Sequence, residues 1–279
     1  MIKIVTDSGS GIAPETAQQY GILVVPLYVH FGTETFRDGV DIQLPEFLSR
    51  LQSFPQLPTT SQPSAGDFLE VYKSLTADGS EVISIHLSAK LSGTVASACA
   101  AQEMLPGAHI HVVDSRFISA PQAMMVVEAA RMAAAGQSTE AILARLDQFI
   151  AGSRIYFVVD TLEYLQKGGR IGKAAALLGT ALQMKPILML QDGIVEAKER
   201  IRTKNKAILR LRELAVEETA GRSCRYLGIL HAAALEEARQ LEDELVSQLM
   251  PAETIMDEVG PVIATHTGPG VVGVAFYAE

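Results

Sequence analysis

In the first half of the chain short β-type runs alternate with helical patterns, which restricts the fold to a parallel or mixed sheet with helices packed on it. Ile2 to Thr6 reads as the first strand, and the segment TDSGSG turns the chain. Pro14 then opens a short helix that Gly21 ends, because proline suits a first helical turn and glycine a C-terminal cap. Leu23 to Phe31 is expected to be one extended run. Ser64, with Asp67 three residues on, predicts a capping box at the start of an apolar-periodic helix reaching Ala77. Further strands are expected at Glu81 to Leu87 and His109 to Val113, each followed by a serine-containing turn and a helix. Two more helices are expected around Pro121 to Ala135 and Thr139 to Ile150.

Beyond Gly152 the pattern changes. Pro186 to Leu190 and Ile194 to Lys198 flank Gln191-Asp192-Gly193, and Asp-Gly between apolar runs is a strong hairpin signal, so the second half is partly antiparallel. Helices near Thr203 to Ala220 and Leu235 to Leu249 bracket a strand at Tyr226 to His231, and a glycine-rich turn leads into a last strand at Val271 to Tyr277. The expected organisation is an α/β chain of two domains, residues 1–152 with a mostly parallel sheet flanked by helices and residues 153–279 with a mixed or antiparallel sheet and helices.

Composition narrows the function. With 48% hydrophobic and 20% charged residues the chain is ordinary globular material. The N-terminus lacks the apolar region and cleavage site of an export signal, and the most apolar helical stretch, Pro121 to Ala135, is interrupted by Glu128 and Arg131. Two distant cysteines, Cys99 and Cys224, offer neither a disulfide framework nor metal-ligand spacing, so a reducing, cytoplasmic setting is expected. A net charge of −9 argues against nucleic acid as a partner. The charge is uneven, however: Lys198 to Arg212 carries +6, leaving −15 elsewhere. Such a run is either a solvated face or a docking surface for an acidic partner or anionic lipid.

Three segments gather hydroxyls, glycines and one histidine at expected strand ends or helix starts: TTSQPS at Thr59 to Ser64, SAKLSGT at Ser88 to Thr94, and THTGPG at Thr265 to Gly270. Free N–H groups and partial positive charge at a helix start favour an anion, so together they suit a carboxylate or a phosphate, although any one alone is more often a plain cap. His266 stands out because Gly268, Pro269 and Gly270 let backbone approach a ligand closely. His30, His86, His109, His111 and His231 lie in strand-like runs and are read as structural. A Ser–His hydrolase acting on an acyl ester would need Ser92 as nucleophile, His266 as base and Asp7 or Asp114 as orienting acid, but LSGT is not a nucleophile elbow. TDSGSG lacks the lysine and spacing of a P-loop and the spacing of a dinucleotide fingerprint. A regulator that binds a small soluble anion is the third reading.

Taken in order, TDSGSGI, PTTSQPS, SAKLSGT, LQKGGRIG at Leu165 to Gly172 and THTGPGVVG resemble the DegV family of fatty-acid-binding proteins, essentially from end to end. That resemblance implies two α/β domains enclosing a long-chain fatty acid, such as palmitate, stearate or oleate, in a tunnel between them. It also implies a carrier role, in which a partner kinase uses ATP to convert the bound acid to an acyl phosphate, and the carrier needs no cofactor and is not itself the catalyst. Carried over by motif, Thr60, Ser61, Ser92, Gly93 and His266 would surround the carboxylate, and Lys167, Arg170, Arg200 and Arg202 would dock the kinase or touch a membrane surface. The opening segment departs from the family in having Gly11 and Ile12 where many members carry an acid before the first helix. Phe68, Met124 and Leu178 are candidates for the tunnel wall. Burying about 15 carbon groups at about 0.8 kcal/mol each yields roughly 12 kcal/mol before ordering costs, so the tail would dominate affinity and the polar contacts would orient the headgroup.

Overall fold

The computed structural model describes residues 1–178 and 184–279. The chain begins β1 (Ile2–Asp7), a 3-10 turn at Ser8–Ser10, α1 (Pro14–Tyr20), β2 (Leu23–Val25), β3 (Tyr28–Phe31) and β4 (Glu34–Arg37). It continues α2 (Leu44–Ser53), β5 (Thr59–Ser61), α3 (Ala65–Thr76), β6 (Glu81–His86), α4 (Thr94–Glu103), β7 (Ile110–Asp114), α5 (Ala120–Ala134) and α6 (Thr139–Gly152). The later part holds β8 (Ser153–Val158), α7 (Glu163–Lys167), a 3-10 turn at Gly172–Leu177, β9 (Lys185–Gln191), β10 (Ile194–Ile201) and α8 (Lys204–Thr219). It closes with β11 (Cys224–His231), α9 (Leu235–Leu249), β12 (Glu253–Glu258), α10 (Pro261–Thr267) and β13 (Val272–Ala278).

The strands form a parallel sheet in the order β2-β1-β6-β7, a mixed sheet in the order β10-β9-β8-β13-β11-β12, and an antiparallel ribbon β4-β3-β5. In the mixed sheet β11 and β12 are parallel and the other neighbours antiparallel. The expected α/β class with a parallel first sheet and a mixed second one is therefore what the chain adopts. The expected boundary at residue 152 falls where α6 passes directly into β8.

Both large sheets are buried on two faces. Along β8, Ile155 and Phe157 face the core between the sheets, while Tyr156 and Val158 face a second core built with α8 and α9. Along β1, Ile4 joins the inter-sheet core and Val5 packs with Phe68, Tyr72 and Ala98 under α3 and α4. This alternation is the period-2 signature of a pleated strand. Helix α5 fills the space between the sheets, touching β1 and β6 on one side and β8, β11 and β13 on the other. Its first eight residues are all buried, which is why the start of the helix reads as an apolar run before Glu128.

Local signals explain several elements. Ser64 accepts from the Asp67 N–H at 3.1 Å and Asp67 accepts from the Ser64 N–H at 2.7 Å, closing the expected capping box. Gly21 caps α1 with φ 63°. Asp192 and Gly193, with φ 50° and 80°, make the β9–β10 hairpin turn that right-twisted strands require. One expectation is corrected. Leu23 to Phe31 is two strands in different sheets, because Pro26 has no N–H for a ladder and the Leu27 N–H instead donates to Ser8 Oγ at 3.0 Å. Strands β8 and β12 and helices α2, α7 and α10 have no counterpart in the sequence analysis.

Two buried carboxylates join the halves of the chain, one at α10 and one at β12. Asp38 accepts from the Val262 N–H at 3.1 Å, and Asp257, at the end of β12, accepts from the Ser119 hydroxyl. Gly260 lies against Asp38 and Gly11 against Asp257, so a side chain at either glycine would press on a carboxylate. Burial pushes Asp38 up to about 6 and Asp257 up to about 7, with Asp7 adding to the first shift and Asp38 and Glu258 to the second.

Candidate functional site

Four separate stretches of sequence converge on one cavity. Its apolar walls come from both sides of the seam: Leu27, Leu87 and Ile118 from the first half, Phe157, Leu230 and Val262 from the second. The cavity holds about 800 Å³ counted to its open mouth. One end is polar, lined by Thr60, Ser61, Gln62, Ser92, Arg170 and His266.

Strand β5 delivers the first two of these. It pairs antiparallel with β3, setting Thr60 opposite Val29 and Ser61 opposite Tyr28. Thr60 Oγ1 meets His266 Nε2 at 2.8 Å, a contact between residues 206 apart in sequence. His30 Nε2 meets Ser61 Oγ at 2.9 Å and His30 Nδ1 meets Thr35 Oγ1 at 2.9 Å, so His30 orients the serine from behind. The segment expected to start a helix is thus a strand up to Ser61, and only Ser64 acts as the cap.

His266 occupies the last turn of α10, not a turn outside regular structure. Gly268 follows with φ 71° and donates its N–H to Ala264 O, ending the helix. Gly168 packs against the Nδ1 edge of the ring, where a Cβ would collide with it, and Nδ1 has no hydrogen-bond partner among the described residues. Burial, aided by the nearby Arg170 guanidinium, pushes the imidazole down to about 4. The ring is therefore neutral at pH 7. In the tautomer with hydrogen on Nε2, the ring donates to Thr60 and leaves the Thr60 hydroxyl proton free to point at an anion in the cavity.

Opposite His266, the loop from β6 to α4 brings Ser92 and Gly93. Ser92 Oγ lies 2.9 Å from Thr94 Oγ1 and accepts from the Thr94 N–H at 3.3 Å. Gly93 has ordinary φ, −75°, and is required by space: a Cβ there would stand 2.9 Å from the Gln62 amide. The N-terminus of α4 points its partial positive charge at this end. Arg170 donates from Nε to Leu91 O at 3.0 Å and from Nη1 to Gly168 O at 2.7 Å, which fixes its guanidinium at the cavity rather than leaving it loose on the surface.

The remaining expected residues lie elsewhere. Lys167 is exposed and ion-paired with Glu163. Within the basic run, Lys198 pairs with Glu218 at 3.1 Å, Lys204 with Asp160 at 3.3 Å, Arg210 with Glu199 at 3.0 Å and Arg212 with Glu244 at 2.8 Å. Glu199 is already counted in the run, so the outside acids Glu218, Asp160 and Glu244 offset half of the +6. Arg200, Arg202 and Lys206 are exposed and have no ion pair among the described residues. Phe68 packs on Tyr72 and His86 in the outer core of the parallel sheet, Met124 packs beside Gly228 between the sheets, and Leu178 rests on the edge of the inter-sheet core. None of the three is placed on the wall of the cavity.

The hydrolase arrangement is not assembled. His266 bonds Thr60 rather than Ser92 and has no acid on Nδ1. Asp114 accepts from the N–H groups of Ala89 and Arg116. Asp7 accepts from Gly9 N–H at 2.9 Å, Leu87 N–H at 3.0 Å and Gln122 Nε2 at 3.2 Å, and sits 2.9 Å from His86 Nδ1. His86 Nε2 is 2.7 Å from Ser84 Oγ, which accepts from the Tyr72 hydroxyl at 2.8 Å. This Tyr72–Ser84–His86–Asp7 chain has triad order, but its serine, histidine and aspartate are fully enclosed and Phe68 covers the imidazole edge to face, so it is a structural relay beneath the cavity.

Comparison with known proteins places these features in context. The model of the family described as "Uncharacterised protein, DegV family" matches residues 1–279. A DegV domain-containing protein of Halalkalibacterium halodurans is 39% identical over 279 residues, covering 100% of this chain and 99% of the relative. Protein DegV of Bacillus subtilis is 36% identical over 276 residues, covering 99% and 98%. Among solved structures, a DegV family protein from Thermus thermophilus, described by its fatty acid binding, superposes with a TM-score of 0.95 at 39% identity, covering 100% of this chain and 99% of that one. DegV of Bacillus subtilis, described as a fatty acid binding protein, superposes with a TM-score of 0.91 at 34% identity over 100% and 99%. A stearic-acid-binding protein from Eubacterium ventriosum does so with a TM-score of 0.91 at 30% identity over 100% and 98%.

Proposed function

Because the chain belongs to the DegV family, we propose that its cavity binds a long-chain fatty acid and presents the carboxylate to an ATP-dependent kinase subunit for acyl-phosphate formation. The observation that carries this reading is an apolar cavity, about 800 Å³ counted to its open mouth, with Thr60, Ser61, Gln62, Ser92, Arg170 and His266 clustered at one end. The hydrocarbon tail supplies the affinity through burial, and the polar end supplies direction. Thr60, Ser61 and Ser92 hold the carboxylate as hydroxyl donors, Gly93 and the start of α4 offer backbone N–H groups, and Arg170 offsets its charge. Neutral His266 keeps Thr60 turned toward the acid. In the transfer, a carboxylate oxygen bonds to the γ-phosphorus of ATP, the bond to the β-phosphate breaks, and ADP leaves with the electron pair. The carrier contributes position, and the partner contributes the nucleotide.

Native mass spectrometry of the purified protein is expected to show an adduct with the mass of a fatty acid. A clean unloaded species that accepts neither oleate nor palmitate would overturn the reading. Ser92→Ala combined with His266→Ala is expected to lower acyl-phosphate formation at saturating lipid roughly ten- to a hundredfold while the lipid stays bound, because losing polar contacts at about 1–3 kcal/mol each leaves most of the larger burial term in place. Equal losses in both assays would remove the orienting role.

The unpaired cations suit docking of an acidic partner or a membrane surface. Reversing Arg200 and Arg202 to glutamate is expected to weaken kinase coupling or vesicle association at least tenfold and leave the lipid bound, an effect that should shrink as salt is raised. Unchanged coupling would return both residues to a solvated face.

A further inference from the structure

The strand register gives the cavity a direction. His266 and the Gly268–Gly270 turn lie just before β13, and along β13 the pairing runs from Val272 opposite Val158 to Ala275 opposite Ile155. Phe157 therefore lies nearer the polar end and Ile155 two residues, about 7 Å, farther in. On the next strand Leu188 pairs with Phe157, so Leu190 stands level with Ile155. Two residues beyond Ile155, on the same face of β8, comes Ser153. It no longer lines the cavity but a second space, a polar groove of about 1490 Å³ open to the surface, with Asp114, Arg116 and Arg154 in its walls. The Ser153 hydroxyl is buried and has no hydrogen-bond partner among the described residues. Among the described residues, Leu190 alone lines both the cavity and the groove. It is 6% exposed and faces Val195 across the hairpin, so it is a packed partition and not a loose flap.

We propose that Leu190 is the stop that sets the length of acyl chain the cavity accepts. The inference rests on the fatty-acid reading of the cavity. A chain that ends before the partition buries each methylene against Ile155, Phe157 and Leu190 itself. A longer one must push Leu190 off its rotamer against β10 or fold back, and close-packed walls resist both. Shortening residue 190 opens the partition into the groove. Because the groove is polar, the protruding methylenes gain little there, but the clash that penalised them is gone.

The test uses the full-length protein stripped of co-purified lipid, with palmitate, stearate, arachidate and lignocerate competing against a fluorescent fatty acid. Wild type is expected to bind lignocerate much more weakly than stearate. Leu190→Ala is expected to cut that discrimination roughly tenfold or more, the equivalent of recovering two or more methylenes. Leu190→Phe reads the same wall in the opposite direction and is expected to move the preference toward palmitate, so the inference is testable even where the alanine variant folds poorly. Chain-length profiles that superimpose for wild type and both variants would overturn the role of Leu190. Wild-type protein that binds none of the four acids would instead overturn the fatty-acid reading, a distinguishable result.

Discussion

Replacing His86 by alanine is expected to lower folding stability by about 3–5 kcal/mol, the usual consequence of stripping one partner from a fully buried ionisable pair. His86 and Asp7 are both enclosed, and the imidazole joins three elements: Asp7 at the end of β1, Ser84 within β6 and, through that serine, Tyr72 on α3. Removing the ring leaves the Asp7 carboxylate short of a donor and the Ser84 hydroxyl short of an acceptor, and opens a void beneath Phe68. Urea denaturation of wild type and variant at pH 7 measures the loss. His30→Ala is the comparison, since His30 is only half-buried and its loss should cost about 1 kcal/mol. A penalty at His86 no larger than that at His30 would show that the relay contributes little to holding the two sides of the parallel sheet together.

The largest pH effect is expected at the two buried carboxylates that tie α10 and β12 to the first half. Asp38 and Asp257 titrate near 6 and 7 in the folded protein, above the ordinary 3.8 that both recover on unfolding. Between those values the folded chain holds more protons than the unfolded one, so this contribution is fully present below about pH 4 and is lost as pH rises through 6 and 7. At about 1.4 kcal/mol per unit, Asp257 alone accounts for up to roughly 4 kcal/mol. Asp257→Asn keeps an oxygen to accept from Ser119 and removes the titration. Thermal melts from pH 5 to 8 are expected to fall steeply for wild type and much less for the variant, with the variant the more stable at pH 8 and the gap narrowing steadily toward pH 5. Parallel curves would sink this assignment.

Legibility in the sequence followed the range of the interaction. Ser64 with Asp67, Gly21 after α1 and Asp192-Gly193 in the hairpin were readable because each satisfies its backbone within a few residues. The segment PVIATHT of α10 carries three β-branched residues before its histidine and is helical because Asp38, 224 residues from Val262, accepts one of the N–H groups in its first turn. Central strand β8 follows α6 with no turn residues between, so nothing local announces it.

The polar end was legible by motif, yet its wiring was not. Thr60, Ser61, Ser92 and His266 could be named, but that His266 bonds Thr60 and that His30 backs Ser61 depends on strand pairing across the ribbon. Gln62 could have been suspected from its place between Ser61 and the Ser64 cap; its contact with Gly93 could not. Arg170 reads in sequence as one more surface cation of KGGR, and only two backbone carbonyls, Leu91 O and Gly168 O, turn it toward the cavity. Charge counting along the chain likewise overstated the basic run, because Glu218, Glu244 and Asp160 lie outside it in sequence and beside it in space.

The Thr60–His266 contact spans 206 positions, and neither half of the chain can make it alone. A ligand gripped there acts as a rivet through the seam: its occupancy adds directly to the free energy that keeps both halves in register, growing with the logarithm of its concentration over its dissociation constant. Ligand and scaffold are therefore thermodynamically linked. A ligand that leaves this site withdraws its support, so the empty protein is the looser form, and rebinding restores its rigidity.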